Sequence, residues 1–253
     1  MKHIILAFCV SIFFSAAFAQ GPDINTSLKE ASNLEKQLKD VEALAKYKAI
    51  LTAAPNNVMV LVKCTEIDCN IGDRQVKPGD RQAYYSEAFN YAQQAFNADS
   101  TTADANYAIC LATGKLAGIE TDNKKRIDLW RKIKQYADKA LALNPAHARA
   151  NYLEGKWNYD IVTLPSLKLT ETKAFHKGFA DADIDSAIIY MEKCRAAEQY
   201  FAPDYLVLAK AYKFKKRPAQ AIEVLEKLVR LPTRTPNDVA IKAEGQQMLS
   251  EMR

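Results

Sequence analysis

The chain has 253 residues, of which 49% are hydrophobic and 26% are charged. These are ordinary values for a globular protein, so they exclude a wholly disordered chain and a polytopic membrane protein. Eight glycines and nine prolines are few for a sandwich or barrel with many turns, so helix is favoured. The net charge of +5 is too small and too mixed in sign to indicate binding to nucleic acid.

The first 19 residues have the pattern of an export signal. A short basic start precedes an apolar run from Ile4 to Phe14, and Ala17 and Ala19 form a small-x-small cleavage motif. The run is shorter than the ~20 residues that a membrane-spanning helix needs. We therefore expect an exported protein, periplasmic or secreted after cleavage near Ala19, with no transmembrane segment in the mature chain. The remaining residues are predicted to form a linker over 20–27 and one domain over 28–253.

Five segments carry apolar or small residues at positions i, i+4 and i+7, which predicts amphipathic helices. The five stripes are Ala43/Tyr47/Ile50, Ala88/Ala92/Ala95, Ile133/Ala137/Ala140, Ala187/Met191/Cys194 and Ala221/Leu225/Leu228. A second set of helices is predicted at a constant offset after the first four stripes, beginning near Val58, Ala103, Ala148 and Ala202. Further helices over residues 26–38 and 237–252 are expected to cover the two ends.

The spacing between stripes predicts a solenoid of helix pairs. Successive stripes begin 45, 45, 54 and 34 residues apart, and 34 is the period of the tetratricopeptide repeat. The longer spacings place extra residues inside the pairs, at Gly72–Arg81, Lys115–Lys125 and Val162–Asp183. We expect these insertions to emerge as loops on one edge, which in repeat arrays is often a binding face. The predicted fold is an all-α, tetratricopeptide-like solenoid of about four to five helix pairs.

The chain also resembles the regulator of microtubule dynamics family, whose tetratricopeptide-like domains occur in exported bacterial proteins, notably from Bacteroidetes. The resemblance is carried by residues 140–145 (ALALNP), 155–159 (GKWNY) and 205–232. The sequence departs from the repeat consensus at Asn106 and Asn151, where a large aromatic residue is preferred, and at Glu154, where leucine is preferred. The resemblance implies an interaction module with no catalytic residues to carry over.

The sequence offers little catalytic chemistry. Only His147 and His176 follow the predicted signal, and no metal-ligand constellation, phosphate-binding glycine loop or nucleophile elbow is visible. We therefore predict a non-enzyme without metal or cofactor. The four cysteines after the signal contain no C-x-x-C motif, and the repeat register places Cys64, Cys110 and Cys194 in the core.

Two sets of residues are candidates for binding. The concave-face set combines aromatic area with cationic groups suited to a peptide or carboxylate, and consists of Tyr107, Tyr152, Lys156, Tyr159, Lys210 and Lys213. The insertion set consists of Leu167, Phe175, His176 and Phe179. The function we predict is a non-catalytic protein- or peptide-binding scaffold in the cell envelope. The alternative is a carrier of a small molecule or lipid, with an apolar pocket under the 162–183 insertion.

Overall fold

The computed structural model describes residues 23–165, 179 and 182–253. These ranges contain eleven helices and no strand, which confirms the predicted all-α class. None of these helices has the length and apolar character needed to cross a bilayer. The helices are α1 (Ile24–Lys36), α2 (Asp40–Ala53), α3 (Val58–Asp73), α4 (Pro78–Ala98), α5 (Ala103–Ile119), α6 (Asn123–Leu143), α7 (Ala148–Val162), α8 (Ile184–Ala197), α9 (Ala202–Phe214), α10 (Pro218–Arg230) and α11 (Asp238–Met252).

The helices pack as five consecutive pairs, α1–α2, α3–α4, α5–α6, α7–α8 and α9–α10, and α11 covers the last pair. Helices α3, α5, α7 and α9 begin at the predicted residues Val58, Ala103, Ala148 and Ala202. Every residue of the five predicted stripes is buried. The repeat register is therefore confirmed. Helix α1 begins at Ile24, within the segment predicted as a linker.

Small residues in the stripes allow close packing of neighbouring helices. One close approach is at Gly155 of α7, which faces backbone atoms of α8. A Cβ atom added there would lie 2.8 Å from Met191 Cγ and 2.9 Å from the carbonyl oxygen of Ala187. The backbones of α7 and α8 thus leave no room for a side chain at this position.

The first two insertions lie inside the pairs as predicted, but they are not loops. Helices α4 and α6 have 21 residues each, whereas α2 and α8 have 14 and α10 has 13. Only residues 74–77 and 120–122 lie between the paired helices. Pro78 begins α4, and the Asp122 carboxylate caps α6 by accepting from the Lys125 N–H at 2.8 Å. The extra residues therefore add helical turns. The third insertion lies between α7 and α8, and most of it falls outside the described residues.

Asn106 and Asn151 fit the repeat despite departing from its consensus. The Asn106 side-chain amide donates to the Ser100 carbonyl at 2.9 Å, and that of Asn151 donates to the Pro145 carbonyl at 3.0 Å. The Tyr205 hydroxyl donates at 2.8 Å to a carbonyl that also lies six residues earlier. All three side chains hold the turn before their helix, so asparagine replaces the aromatic residue without shifting the register.

The cysteines are part of the core. Cys64, Cys69, Cys110 and Cys194 are all buried and free of disulfides. Burial raises the pKa of the Cys64 thiol to about 12. A buried thiol with so high a pKa stays protonated and behaves as a small apolar side chain.

The connection between α10 and α11 returns to the second helix pair. We call residues 231–237 the strap. Its end is held at α3, where the Asn237 amide donates to the Asn70 carbonyl at 3.1 Å and the Arg74 guanidinium donates to the Asn237 side chain. At the start of α11, the Asp238 carboxylate accepts from the backbone N–H of the strap residue Arg234 at 2.7 Å. The strap therefore crosses the open side of the solenoid.

Candidate binding groove on the concave face

The first helices of the pairs form a concave surface, and the strap closes one side of it. Between them lies a groove of about 520 Å³. The groove receives side chains from α3, α5, α7 and α9, from the turn before α9, and from the strap and α11. Its lining includes Glu66, Leu111, Arg149, Tyr152, Phe201 and Val207.

Arg149 joins three of these elements at the groove. Its guanidinium donates to Glu66 of α3 and to Glu198, in the turn before α9, at 2.8 Å each. The same guanidinium lies over the ring of Phe201, 4.8 Å from its centroid. Such bidentate and stacked contacts use the planar geometry of arginine. Arg149 thus fixes the positions of α3, α7 and the α8–α9 turn relative to one another.

Glu66 is a carboxylate of the groove with several charged and polar neighbours. Burial favours its neutral form, but the charges of Arg149 and Lys63 outweigh burial and lower the pKa of Glu66 to about 2. The Tyr107 hydroxyl also donates to this carboxylate at 3.0 Å. Glu66 is therefore ionised at neutral pH, with its charge already compensated by protein groups.

Aromatic rings contribute to the apolar surface of the groove. Tyr152 and Phe201 meet edge to face, with ring centroids 5.1 Å apart. Leu111 and Val207, both half-buried, extend this surface along the groove. Since the charges near these rings are paired internally, the groove favours apolar side chains of a ligand over strongly charged ones.

Metal-ligating side chains do not cluster in the part of the chain that the structure describes. In ranges 23–165 and 182–253, together with residue 179, no group of three or more His, Cys, Asp or Glu side chains is placed to hold a metal ion. His147 caps α7, because its Nδ1 accepts from the Ala150 N–H at 3.0 Å, and its Nε2 lies 2.9 Å from Asp104. Both ring nitrogens are thus used in local structure.

The structure separates the residues predicted for the concave face: two line the groove, three line another depression, and one lines neither. Tyr107 and Tyr152 line the groove. Tyr159, Lys210 and Lys213 line a shallow depression of about 440 Å³. Its two lysines lie 2.6 Å from Glu244 and 3.9 Å from Glu251, both of α11. Lys156 lines neither feature and pairs with Asp160 on its own helix at 2.5 Å.

Of the residues predicted for the insertion, the structure describes Phe179. Its ring is buried, stacks on Trp157 with centroids 5.9 Å apart and meets the edge of Trp130 at 6.4 Å. Phe179 therefore packs into the core of α6 and α7. Leu167, Phe175 and His176 lie outside the described residues, as does most of the segment over the pocket that the carrier hypothesis requires.

Sequence reasoning missed the main polar residues of the groove. Arg149 reaches partners 83 and 49 residues away, and no local pattern marks such a contact. The strap had only a weak signal: Pro232 and Pro236 predict a break in helix but not where the chain then goes.

Paired helices, a shared register and a concave groove define a tetratricopeptide-like α-solenoid, and solved structures agree with this class. A thermophilic tetratricopeptide protein from Thermus thermophilus superposes with a TM-score of 0.66, covering 90% of this chain and 100% of that chain at 14% identity. PilW, described as a widely conserved type IV pilus biogenesis factor, gives a TM-score of 0.52, covers 90% of each chain and is 17% identical. At these identities the likeness shows the fold alone.

The chain belongs to the regulator of microtubule dynamics protein 1-3 family, whose model matches residues 27–253. Regulator of microtubule dynamics protein 1 from Mus musculus is 26% identical over 175 residues, which are 68% of this chain and 56% of that protein. The protein of the same name from Caenorhabditis elegans is 24% identical over 191 residues, 74% of this chain and 80% of its own length. The chain therefore spans about half of the mouse relative and most of the nematode one.

Proposed function

We propose that this protein is a non-catalytic scaffold that binds a partner protein through an extended peptide segment lying in the concave groove. The observation that carries the proposal is the groove itself. Its volume of about 520 Å³ falls within the roughly 300–1,000 Å³ of ordinary ligand sites. The tetratricopeptide-like fold supports the same function, since solenoids present extended concave surfaces for binding.

The groove offers a rigid surface to such a peptide. Arg149 is held by two carboxylates and an aromatic ring, so the floor needs little reorganisation on binding. The rings of Tyr152 and Phe201 provide the stiff aromatic area that dominates the energetics of many interfaces. We therefore expect the bound segment to insert one or two apolar side chains between these rings and Val207.

The groove can be tested with a displayed library of random peptides selected against the purified protein. The variant Val207→Arg places a charge among the aromatic rings, and Ile189→Arg is the control because Ile189 is 55% exposed on α8, the second helix of its pair. We expect the selected peptides to bind the wild type and the control with equal affinity and to bind the Val207→Arg variant much more weakly. If both variants are folded and the peptides bind Val207→Arg as tightly as the wild type, the binding site lies outside the groove.

We also propose that the protein acts in the cell envelope after export. The support is the sequence of residues 1–19, with its basic start, apolar run and small-x-small motif. Intact-mass and N-terminal analysis of protein recovered from its native host should give a chain beginning at Gln20. Recovery of the chain with Met1 still present would contradict this proposal.

A further inference from the structure

A second cleft lies on the other side of the strap. It has a volume of about 810 Å³ and is bounded by α1, by the start of α3 and by strap residues 232–234. Arg234 lines both this cleft and the groove, so the strap separates two openings of one concave surface. We call the second opening the α1 cleft.

One polar face of α1 forms a wall of the cleft. Lys29, Ser32, Asn33 and Lys36 stand at positions i, i+3, i+4 and i+7, so they lie along one side of the helix. A face of this kind usually meets only bulk water. Here Met59 and Lys63 of α3 line the same cleft, so the two exposed lysines of this face border a solvent-open volume rather than bulk water alone.

The cleft carries an excess of positive charge. Four cations line it, namely Lys29, Lys36, Lys63 and Arg234, against the single carboxylate of Glu35. Glu35 is already occupied, since Lys63 lies 3.3 Å away and the Tyr47 hydroxyl donates to it.

Among the described residues, the other three cations have no carboxylate partner. Across the part of the chain that the structure describes, no carboxylate oxygen lies within 4.0 Å of Lys29, Lys36 or Arg234. Arg234 instead lies over the ring of Tyr200, 5.0 Å from its centroid. A cleft lined by charges of one sign concentrates ligands of the opposite sign.

We propose that the α1 cleft is a second binding site, and that its ligand is an acidic, extended peptide segment of a partner protein. Lys29 and Lys36 are separated by about 10 Å along the helix axis, more than one carboxylate or phosphate spans. An extended peptide covers that distance with about three residues. Met59, whose side chain is 53% exposed in the cleft, provides an apolar contact for one side chain between the acidic ones. This proposal does not depend on peptide binding in the groove.

The test uses a fluorescein-labelled peptide, Gly-Glu-Glu-Leu-Glu-Glu-Gly, and a counterpart with glutamine in place of each glutamate. Fluorescence anisotropy is measured for the wild type, for the double variant Lys29→Glu/Lys36→Glu and for the control Lys124→Glu/Lys125→Glu. The control changes the net charge equally at two exposed lysines of α6, outside the cleft. Circular dichroism verifies folding, and the glutamine double variant Lys29→Gln/Lys36→Gln replaces the first one if that does not fold.

We expect the glutamate peptide to bind the wild type. Its affinity for Lys29→Glu/Lys36→Glu should be lower by about tenfold or more, and its affinity for the control variant should stay within about twofold of the wild-type value. Affinity should fall as salt is raised from about 0.05 M to about 0.5 M. The proposal would be overturned if the glutamate peptide did not bind, or if both double variants lost affinity for it equally. It would also be overturned if the glutamine peptide bound equally well, or if millimolar inorganic phosphate displaced the glutamate peptide. Val207→Arg should leave this binding intact, so a failure of the groove and a failure of the cleft give different results.

Discussion

The contact of Gly155 with α8 allows a quantitative test of the helix packing. In Gly155→Ala the new Cβ would lie 2.9 Å from the Ala187 carbonyl oxygen and 3.2 Å from the Met191 backbone nitrogen. Both are backbone atoms, so α7 and α8 must move apart. Overpacking of this kind costs about 1–3 kcal/mol, and it opposes the gain of about 1 kcal/mol that alanine brings to a helix interior. We expect a net loss of stability.

The matched control is Gly118→Ala, because Gly118 is exposed in α5 and a Cβ there meets nothing within 4 Å. This variant should gain up to about 0.5–1 kcal/mol from helix propensity alone, less than at a central position because Gly118 lies in the last turn of α5. Urea unfolding of both variants gives the comparison, with the denaturant midpoint read at an unchanged slope. If Gly155→Ala were as stable as Gly118→Ala, the close approach of α7 and α8 would be refuted.

Three further perturbations test buried charges. Burial raises the pKa of Asp68 to about 7 from 3.8, so the folded state holds a proton that the unfolded chain releases. As the pH rises from 3.8 to about 7, the free energy of unfolding should fall by up to about 1.4 kcal/mol per pH unit. Asp68→Asn should flatten this pH dependence, measured by urea unfolding at several pH values. Glu154 is buried, and its Oε2 has no hydrogen-bond partner among the described residues. Glu154→Leu should therefore be neutral or stabilising by about 1–3 kcal/mol in thermal unfolding, since Lys134 keeps its ion pair with Asp138 at 2.5 Å; a large loss would contradict this. Arg149→Ala should cost about 1–3 kcal/mol and raise the pKa of Glu66, measured by NMR titration; an unchanged pKa would contradict the ion pair.

The helical framework could be predicted because its signals are local. Stripe spacing fixed the starts of four helices, and buried residues such as Met191 and Cys194 occupy their predicted stripe positions. The form of the first two insertions was predicted wrongly from spacing alone. Pro78 at the start of α4 and Asp122 before α6 are recognised helix-start residues, and they would have indicated longer helices.

The candidate sites depend on contacts between distant parts of the chain. The sequence placed Tyr107 and Tyr152 on the concave face, where the groove contains them. It also grouped Lys210 and Lys213 with them, because helical register alone does not show that α11 covers that part of the last pair. The sequence also does not show that the α1 lysines line a cleft together with the strap, since a solvated helix face has the same pattern.

The attachment of the strap to α3 has a consequence for unfolding. In an open repeat array each unit contacts only its neighbours, so the ends can fray while the middle stays folded. Here Asn237 is bonded to Asn70, 167 residues earlier in the chain. Unfolding of the last helix would therefore destabilise the second helix pair as well as the last one. Unfolding that starts at the carboxyl end would thus also lower the stability of helices near the amino end. A contact this distant in sequence makes an array of repeats behave more like one cooperative unit.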